Sequence, residues 1–211
     1  MAISKIKGLY AVTPDQEDTA RLHALVEAAL LGGASLIQYR NKTASSQLRK
    51  AQAMGLLSLC RSHKVPLIIN DHADLCMEID ADGVHVGLDD FPTGELMRLK
   101  AALGEQKILG VSCYNRFELA QQATAHGADY VAFGSCFDSG TKPAAVRAPL
   151  ELFSQAHETL DIPAVAIGGI TLANASLAIE AKADAIAVIN ALFSASDITG
   201  TARQFSNLFD E

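Results

Sequence analysis

Nowhere in the 211-residue chain does an apolar run reach the ~18 to 20 uncharged positions that a membrane-crossing helix requires, so no transmembrane segment is expected. An apolar signal-peptide core is missing too: only Lys5 and Lys7 precede the strand-like run Leu9-Tyr10-Ala11-Val12, which points to a cytoplasmic protein. Cationic excess is absent, with 17 Lys and Arg against 24 Asp and Glu and a net charge of −7, which argues against a basic nucleic-acid-binding surface. The four cysteines, Cys60, Cys76, Cys113 and Cys136, form neither a CxxC pair nor a zinc pattern and are expected as reduced packing residues. No GxGxxG follows the first strand, where Thr13-Pro14-Asp15 stands instead, and this weakens the case for an open dinucleotide-binding sheet. Neither a linker nor a low-complexity tract divides the chain, so one domain over residues 1–211 is expected.

What is present is a weak internal repeat: a small residue or Lys, then Ala, then usually Asp, then a short hydrophobic run. It occurs at Gly33 to Ile37, Ala81 to Val86, Gly127 to Ala132 and Ala183 to Val188, and each copy reads as a helix stop followed by a strand. Four more strand candidates lie between the copies, at Leu9 to Val12, Pro66 to Asn70, Ile108 to Ser112 and Ala164 to Ile167. Helical spacing of apolar residues marks Thr19 to Leu30, Ser46 to Ser62, Phe117 to His126 and Leu150 to Leu160, while Asn70 to Gly83 leaves room for little helix. Eight short strands alternating with amphipathic helices predict an α/β protein, a (β/α)8 TIM barrel with a closed parallel sheet.

In such a barrel the polar residues that do chemistry sit at the C-terminal strand ends. Those ends carry Gln38-Tyr39-Arg40-Asn41-Lys42, Asn70-Asp71, Asp89-Asp90, Ser112, Gly134 to Lys142, Gly168-Gly169 and Ile189-Asn190. Arg40 offers a planar fork for phosphate oxygens, and Lys42 and Lys142 add point charges. The Gly168-Gly169 turn is expected to expose N–H groups at a helix N-terminus, with Ile189-Asn190 completing a phosphate pocket that Ser139 and Thr141 can reach. Asp71 and Asp90 are the candidates for Mg²⁺, which needs only one or two carboxylates beside substrate phosphates. Each feature has a plainer reading: a helix-start turn for Gly168-Gly169, an N-cap pair for Asn70-Asp71, a solvated loop for Asp89-Asp90, a surface lysine for Lys42. Joint placement at one rim favours the anion site. His85 is expected as a hydrogen-bonded barrel-interior residue, His72 as an outer support of Asp71 or an exposed side chain, and His23, His63, His126 and His157 at the surface. No convincing Ser/His or Cys/His nucleophile pair is legible.

Taken in order, these motifs resemble those of the thiamine phosphate synthase family over essentially the full chain. Q-x-R-x-K appears as Gln38 to Lys42, N-D as Asn70-Asp71, and D-G-[IV]-H-[IV]-G-x-x-D as Asp82 to Asp90. G-V-S is Gly110 to Ser112, G-x-x-[FY]-x-[ST]-x-T-K is Gly134 to Lys142, and I-G-G-I is Ile167 to Ile170. The resemblance implies Mg²⁺-dependent joining of hydroxymethylpyrimidine diphosphate to a thiazole phosphate, giving thiamine phosphate and pyrophosphate. It assigns the pyrimidine diphosphate to the Gln38 to Lys42 segment, Asn70, Ser112 and Lys142, with Arg40, Lys42, Ser112 and Lys142 acting on the reacting centre. Mg²⁺ falls to Asp71 and Asp90. The thiazole phosphate falls to Ser139, Gly140, Thr141, Gly169, Ile189 and Asn190. Two positions depart from the family's habit: Ser135 where Pro often follows the glycine, and Asn190 where Ser is common; both keep hydrogen-bonding capacity. The implied partners are these small molecules, without nucleic acid or membrane, and a homo-oligomer is compatible with the sequence. Competing readings are a thiazole tautomerase-like barrel, a Schiff-base aldolase using Lys42 or Lys142, and a catalytically silent phosphate-ligand sensor.

Overall fold

A computed structural model describes residues 6–87, 93–138 and 146–210. Eight parallel strands close on themselves in sequence order: β1 (Gly8–Val12), β2 (Leu36–Tyr39), β3 (Leu67–Asn70), β4 (Gly83–Gly87), β5 (Ile108–Tyr114), β6 (Tyr130–Phe133), β7 (Ala164–Ile167) and β8 (Ala185–Val188). The ring is completed by β1 pairing with β8, Leu9 opposite Ile186. Helices α1 (Thr19–Leu31), α2 (Ser46–Ser62), α3 (Ala73–Glu78), α4 (Thr93–Leu103), α5 (Phe117–Ala125), α6 (Glu151–Thr159) and α7 (Ala175–Glu180) fill the crossovers, and α8 (Asn190–Phe193) and α9 (Ile198–Asn207) follow β8. The Asn70 to Gly83 gap holds only the six-residue α3, as its length predicts. No described helix is long and apolar enough to cross a membrane.

The repeat has a structural cause. The residue before its alanine is left-handed in every copy, with φ of 96° at Gly33, 57° at Asp80, 86° at Gly127 and 79° at Lys182, which stops the preceding helix. Ala34, Ala81, Ala128 and Ala183 are then buried against the sheet. The aspartates that follow reach back to the neighbouring strand. Asp82 accepts from the Leu67 N–H at 2.8 Å, Asp129 from Leu109 at 2.7 Å, and Asp184 from Ala164 at 2.8 Å. In the first copy Ser35 takes that place, donating to the Leu9 carbonyl at 3.1 Å. Four even-numbered strands are thus pinned to four odd-numbered ones.

Strand alternation sorts the core into two shells. Outward residues such as Leu9, Ile37, Ile69, Val84, Val111 and Ile186 meet the helices. Inward residues, among them Tyr10, Val12, Leu36, Ile68, Tyr130 and Val165, fill the barrel. Gly110 makes that interior possible, because a Cβ there would occupy the space of the Tyr130 ring. All four cysteines are buried and free. Among the histidines, His157 is exposed, whereas His23, expected at the surface, buries Nε2 without a hydrogen-bond partner among the described residues.

Candidate active site at the barrel mouth

The C-terminal ends of the strands surround a cavity of about 430 Å³, within the range of small-ligand sites. Because inward positions alternate, β2 delivers Gln38 and, past its end, Arg40 and Lys42 to this cavity. β3 adds Asn70 and Asp71, and β5 adds Ser112. Across the mouth stand Gly169 after β7 and Ile189-Asn190 after β8. Asp71 adopts left-handed backbone geometry, φ 62°, a conformation Asp tolerates better than most residues. Its N–H donates to the His85 carbonyl at 2.8 Å, and its carboxylate accepts from Asn70 Nδ2 at 2.6 Å. The carboxylate is therefore held at the rim rather than capping a helix.

Gly169 has φ 66°, and a Cβ there would run into the carbonyls of Phe137 and Asp138, so only glycine fits. The expected helix N-terminus lies further on. α7 begins at Ala175, and the intervening loop is tied by Asn174, which accepts from the Thr171 N–H at 2.8 Å and donates to the Gly169 carbonyl at 3.0 Å. Gly168 and Gly169 thus present a fixed loop, not a first helical turn.

A family model described as thiamine monophosphate synthase matches residues 9–192. The thiamine-phosphate synthase of Methylobacillus flagellatus is 55% identical over 209 residues, covering 99% of this chain and 98% of its own. That of Nitrosospira multiformis is 53% identical, covering 97% and 86%. A solved thiamine phosphate pyrophosphorylase from Pyrococcus furiosus superposes with a TM-score of 0.84 at 31% identity, over 96% of this chain and 95% of that one. The chain belongs to the thiamine monophosphate synthase family. It is accordingly an enzyme, a transferase.

Two residues of the thiamine monophosphate synthase motif Q-x-R-x-K do not face the mouth. Tyr39 points outward, is 2% exposed, and donates from its hydroxyl to Gln52 Oε1 at 2.8 Å; burial lifts its pKa to about 12. Asn41 turns away as well, donating to the Gln16 carbonyl at 2.8 Å and accepting from the Ala44 N–H at 3.2 Å to shape the loop into α2. Neither lines the cavity, Tyr39 because successive residues of a strand point to opposite faces, and Asn41 because its side chain is engaged by Gln16, Gln52 and Ala44. Asp90, the second metal candidate, lies outside the described residues, as do Ser139, Gly140, Thr141 and Lys142. Among the described residues no three His, Cys, Asp or Glu side chains gather as a metal cluster.

A serine and a histidine do meet. His85 Nε2 lies 2.8 Å from Ser112 Oγ, a pair that separation in sequence concealed. It is not built as a nucleophile and base: burial drops the His85 pKa to about 4, and Nδ1 faces the Tyr130 hydroxyl at 2.9 Å where a triad would have a carboxylate. Burial also raises the Cys113 thiol to about 12 and that of Cys136 to about 11, leaving both inert.

The loop after β1 supplies residues that strand-end reading passed over. Thr13 Oγ1 donates to the Arg40 carbonyl and accepts from the Arg40 N–H, both at 2.9 Å. Asp15 accepts from the Lys42 N–H at 2.7 Å and sits 3.5 Å from Arg40 Nη1. The signal was available, because Thr13-Pro14-Asp15 follows a strand as directly as the other polar groups do. Ser135, joined to Gly134 by a cis peptide bond, donates its hydroxyl to the Phe137 carbonyl at 2.7 Å.

Proposed function

We propose that the chain is a thiamine phosphate synthase, joining hydroxymethylpyrimidine diphosphate to thiazole phosphate with release of pyrophosphate. The observation that carries this reading is the division of one cavity: Gln38, Arg40, Lys42, Asn70, Asp71 and Ser112 come from β2, β3 and β5, and Gly169, Ile189 and Asn190 from β7 and β8. A diphosphate suits the cationic half, and a monophosphate suits the loops of the other half. Family membership and the names of the 55% and 53% identical relatives support the same activity.

In the reaction, the bond between the pyrimidine methylene carbon and the diphosphate oxygen breaks, its electron pair leaving with pyrophosphate. The lone pair of the thiazole nitrogen then forms the new C–N bond. No proton is transferred, so a site without a working Ser/His base is sufficient. Arg40 and Lys42, with Lys142 beyond the described residues, neutralise charge growing on the leaving group, and Ser112 donates to it. A transient cation carried by the pyrimidine ring makes the step dissociative, and the cavity holds the two reactants in line.

Asp71 suits Mg²⁺, being an exposed carboxylate fixed at the cavity rim where phosphate oxygens and water would complete an oxygen shell; Asp90, outside the described residues, would be the second ligand by the family resemblance. When bound, the ion supplies further positive charge to the diphosphate.

Incubation with each substrate alone and then with both, in Mg²⁺, tests the assignment by chromatography. Thiamine phosphate and pyrophosphate should form in equal amounts only with both present. Isomerisation of the thiazole without condensation would favour the tautomerase reading, a borohydride-trapped lysine adduct the aldolase reading, and binding of both ligands without turnover the sensor reading.

A further inference from the structure

The barrel interior is crossed by a chain of five polar side chains from five different strands. Gln38 Nε2 donates to the Tyr10 hydroxyl at 2.8 Å, Tyr10 lies 2.8 Å from the Tyr130 hydroxyl, and Tyr130 lies 2.9 Å from His85 Nδ1. His85 Nε2 reaches Ser112 Oγ at 2.8 Å. Both ends of the chain line the cavity, whereas Tyr10 and Tyr130 are at most 1% exposed and do not.

Hydrogen counting gives this chain a direction. A tyrosine has one hydroxyl hydrogen. Tyr10 already accepts from Gln38, whose amide nitrogen cannot accept in return, so the Tyr10 hydrogen is satisfied only by pointing at Tyr130. Tyr130 must then donate to His85 Nδ1, which leaves the ring hydrogen on Nε2, aimed at Ser112. Ser112 accepts, and its own hydrogen is released toward the cavity. Buried polar groups left unpaired are expensive, so the arrangement that satisfies every hydrogen prevails.

We propose that Tyr10, Tyr130 and His85 are positioning residues: they form a one-way hydrogen-bond relay that fixes the Ser112 hydroxyl as a donor into the mouth, selecting an anionic group there. The assignment of that anion as the diphosphate rests on the proposed function; the relay itself does not. Its role is to prevent Ser112 from donating back into the protein, which would present a lone pair to a phosphate oxygen.

Nitrogen-15 NMR of the histidine-labelled protein reads the relay directly, with His85 assigned by its loss in His85→Gln. The expected state is a neutral ring protonated on Nε2. A ring protonated on Nδ1 would mean that the Gln38 amide is reversed and every bond runs the other way, which overturns the proposal. Binding of inorganic pyrophosphate with Mg²⁺, followed by calorimetry, supplies the second measurement. Tyr130→Phe should weaken it about tenfold, the effect of one net hydrogen bond, and should change it less than about twofold in a Ser112→Ala background. Equal losses in both backgrounds would show that Tyr130 acts through packing and would refute the relay. Failure of wild-type protein to make thiamine phosphate, with both results intact, would remove the proposed function and leave the relay standing.

Discussion

Arg40 can act as a fork for two phosphate oxygens only if its backbone is fixed, because a long side chain that must also be ordered loses much of its binding energy to entropy. Thr13 fixes the backbone from both sides of the residue, and Asp15 holds the next turn while standing beside the guanidinium. Asp15→Ala is therefore expected to raise the KM for the proposed pyrimidine diphosphate substrate about three- to tenfold in steady-state assays. The melting temperature should hardly move, since a half-exposed ion pair contributes about 0–1 kcal/mol. His85 carries a different consequence. Its pKa falls from an ordinary 6.5 to about 4 because burial disfavours the charged ring. Between those values the unfolded chain takes up a proton that the folded chain refuses, so this contribution to stability is complete above pH 6.5 and is lost as pH falls toward 4. At most about 3 kcal/mol is involved. His85→Gln should flatten the decline in unfolding free energy across that window, measured by urea titration at several pH values; a decline as steep as wild type would place the titration elsewhere.

At the scale of elements, the aspartates of the repeat act as clamps between strands that are neighbours in the sheet. Asp184→Ala leaves the Ala164 N–H without its carboxylate partner and should cost about 1–3 kcal/mol in chemical denaturation. Asp129→Ala should cost more, because the same carboxylate also holds Lys100 Nζ at 2.7 Å. The strand plan was legible for the reason that makes these clamps possible: short apolar runs bounded by left-handed stops repeat at even intervals, and parallel pairing follows from the helices between them. What the motif reading missed was the parity of a strand. In Gln38 to Lys42 the odd-numbered pair, Tyr39 and Asn41, faces away from the mouth, and a period of two applied to the segment would have set both aside. Other features were less accessible. The pairing of His85 with Ser112 depends on the stagger of β4 against β5, where Gly87 lies opposite Ser112, and nothing local in either strand states that register. Likewise the distance from Gly169 to α7 is set by Asn174 bonding back into the loop, a contact that composition does not announce.

For the whole molecule, the decisive contact is the seam where the first strand meets the last. β1 and β8 pair over four residues, and α9 covers the seam by burying Ala202 and Phe205 against the rest of the core. Thr199 donates to the Ala28 carbonyl at 3.1 Å and Ser206 to that of Gly33 at 2.9 Å, so α9 also grips the end of α1. A closed ring has no free edge at which unfolding can begin without breaking paired strands, and loss of the seam exposes both shells of the core at once. The chain has no tryptophan, and its four tyrosines, Tyr10 and Tyr130 inside the barrel, Tyr39 on β2 and Tyr114 on β5, all belong to strands, so tyrosine fluorescence reports the sheet while far-ultraviolet circular dichroism reports mainly the helices outside it. Phe205→Ala, a cavity of the kind that costs about 3–5 kcal/mol, should shift both signals to lower urea together. If the helical signal fell first and the tyrosine signal kept its wild-type midpoint, the outer layer would be unfolding independently of the barrel, and the single-domain expectation for residues 1–211 would fail with it.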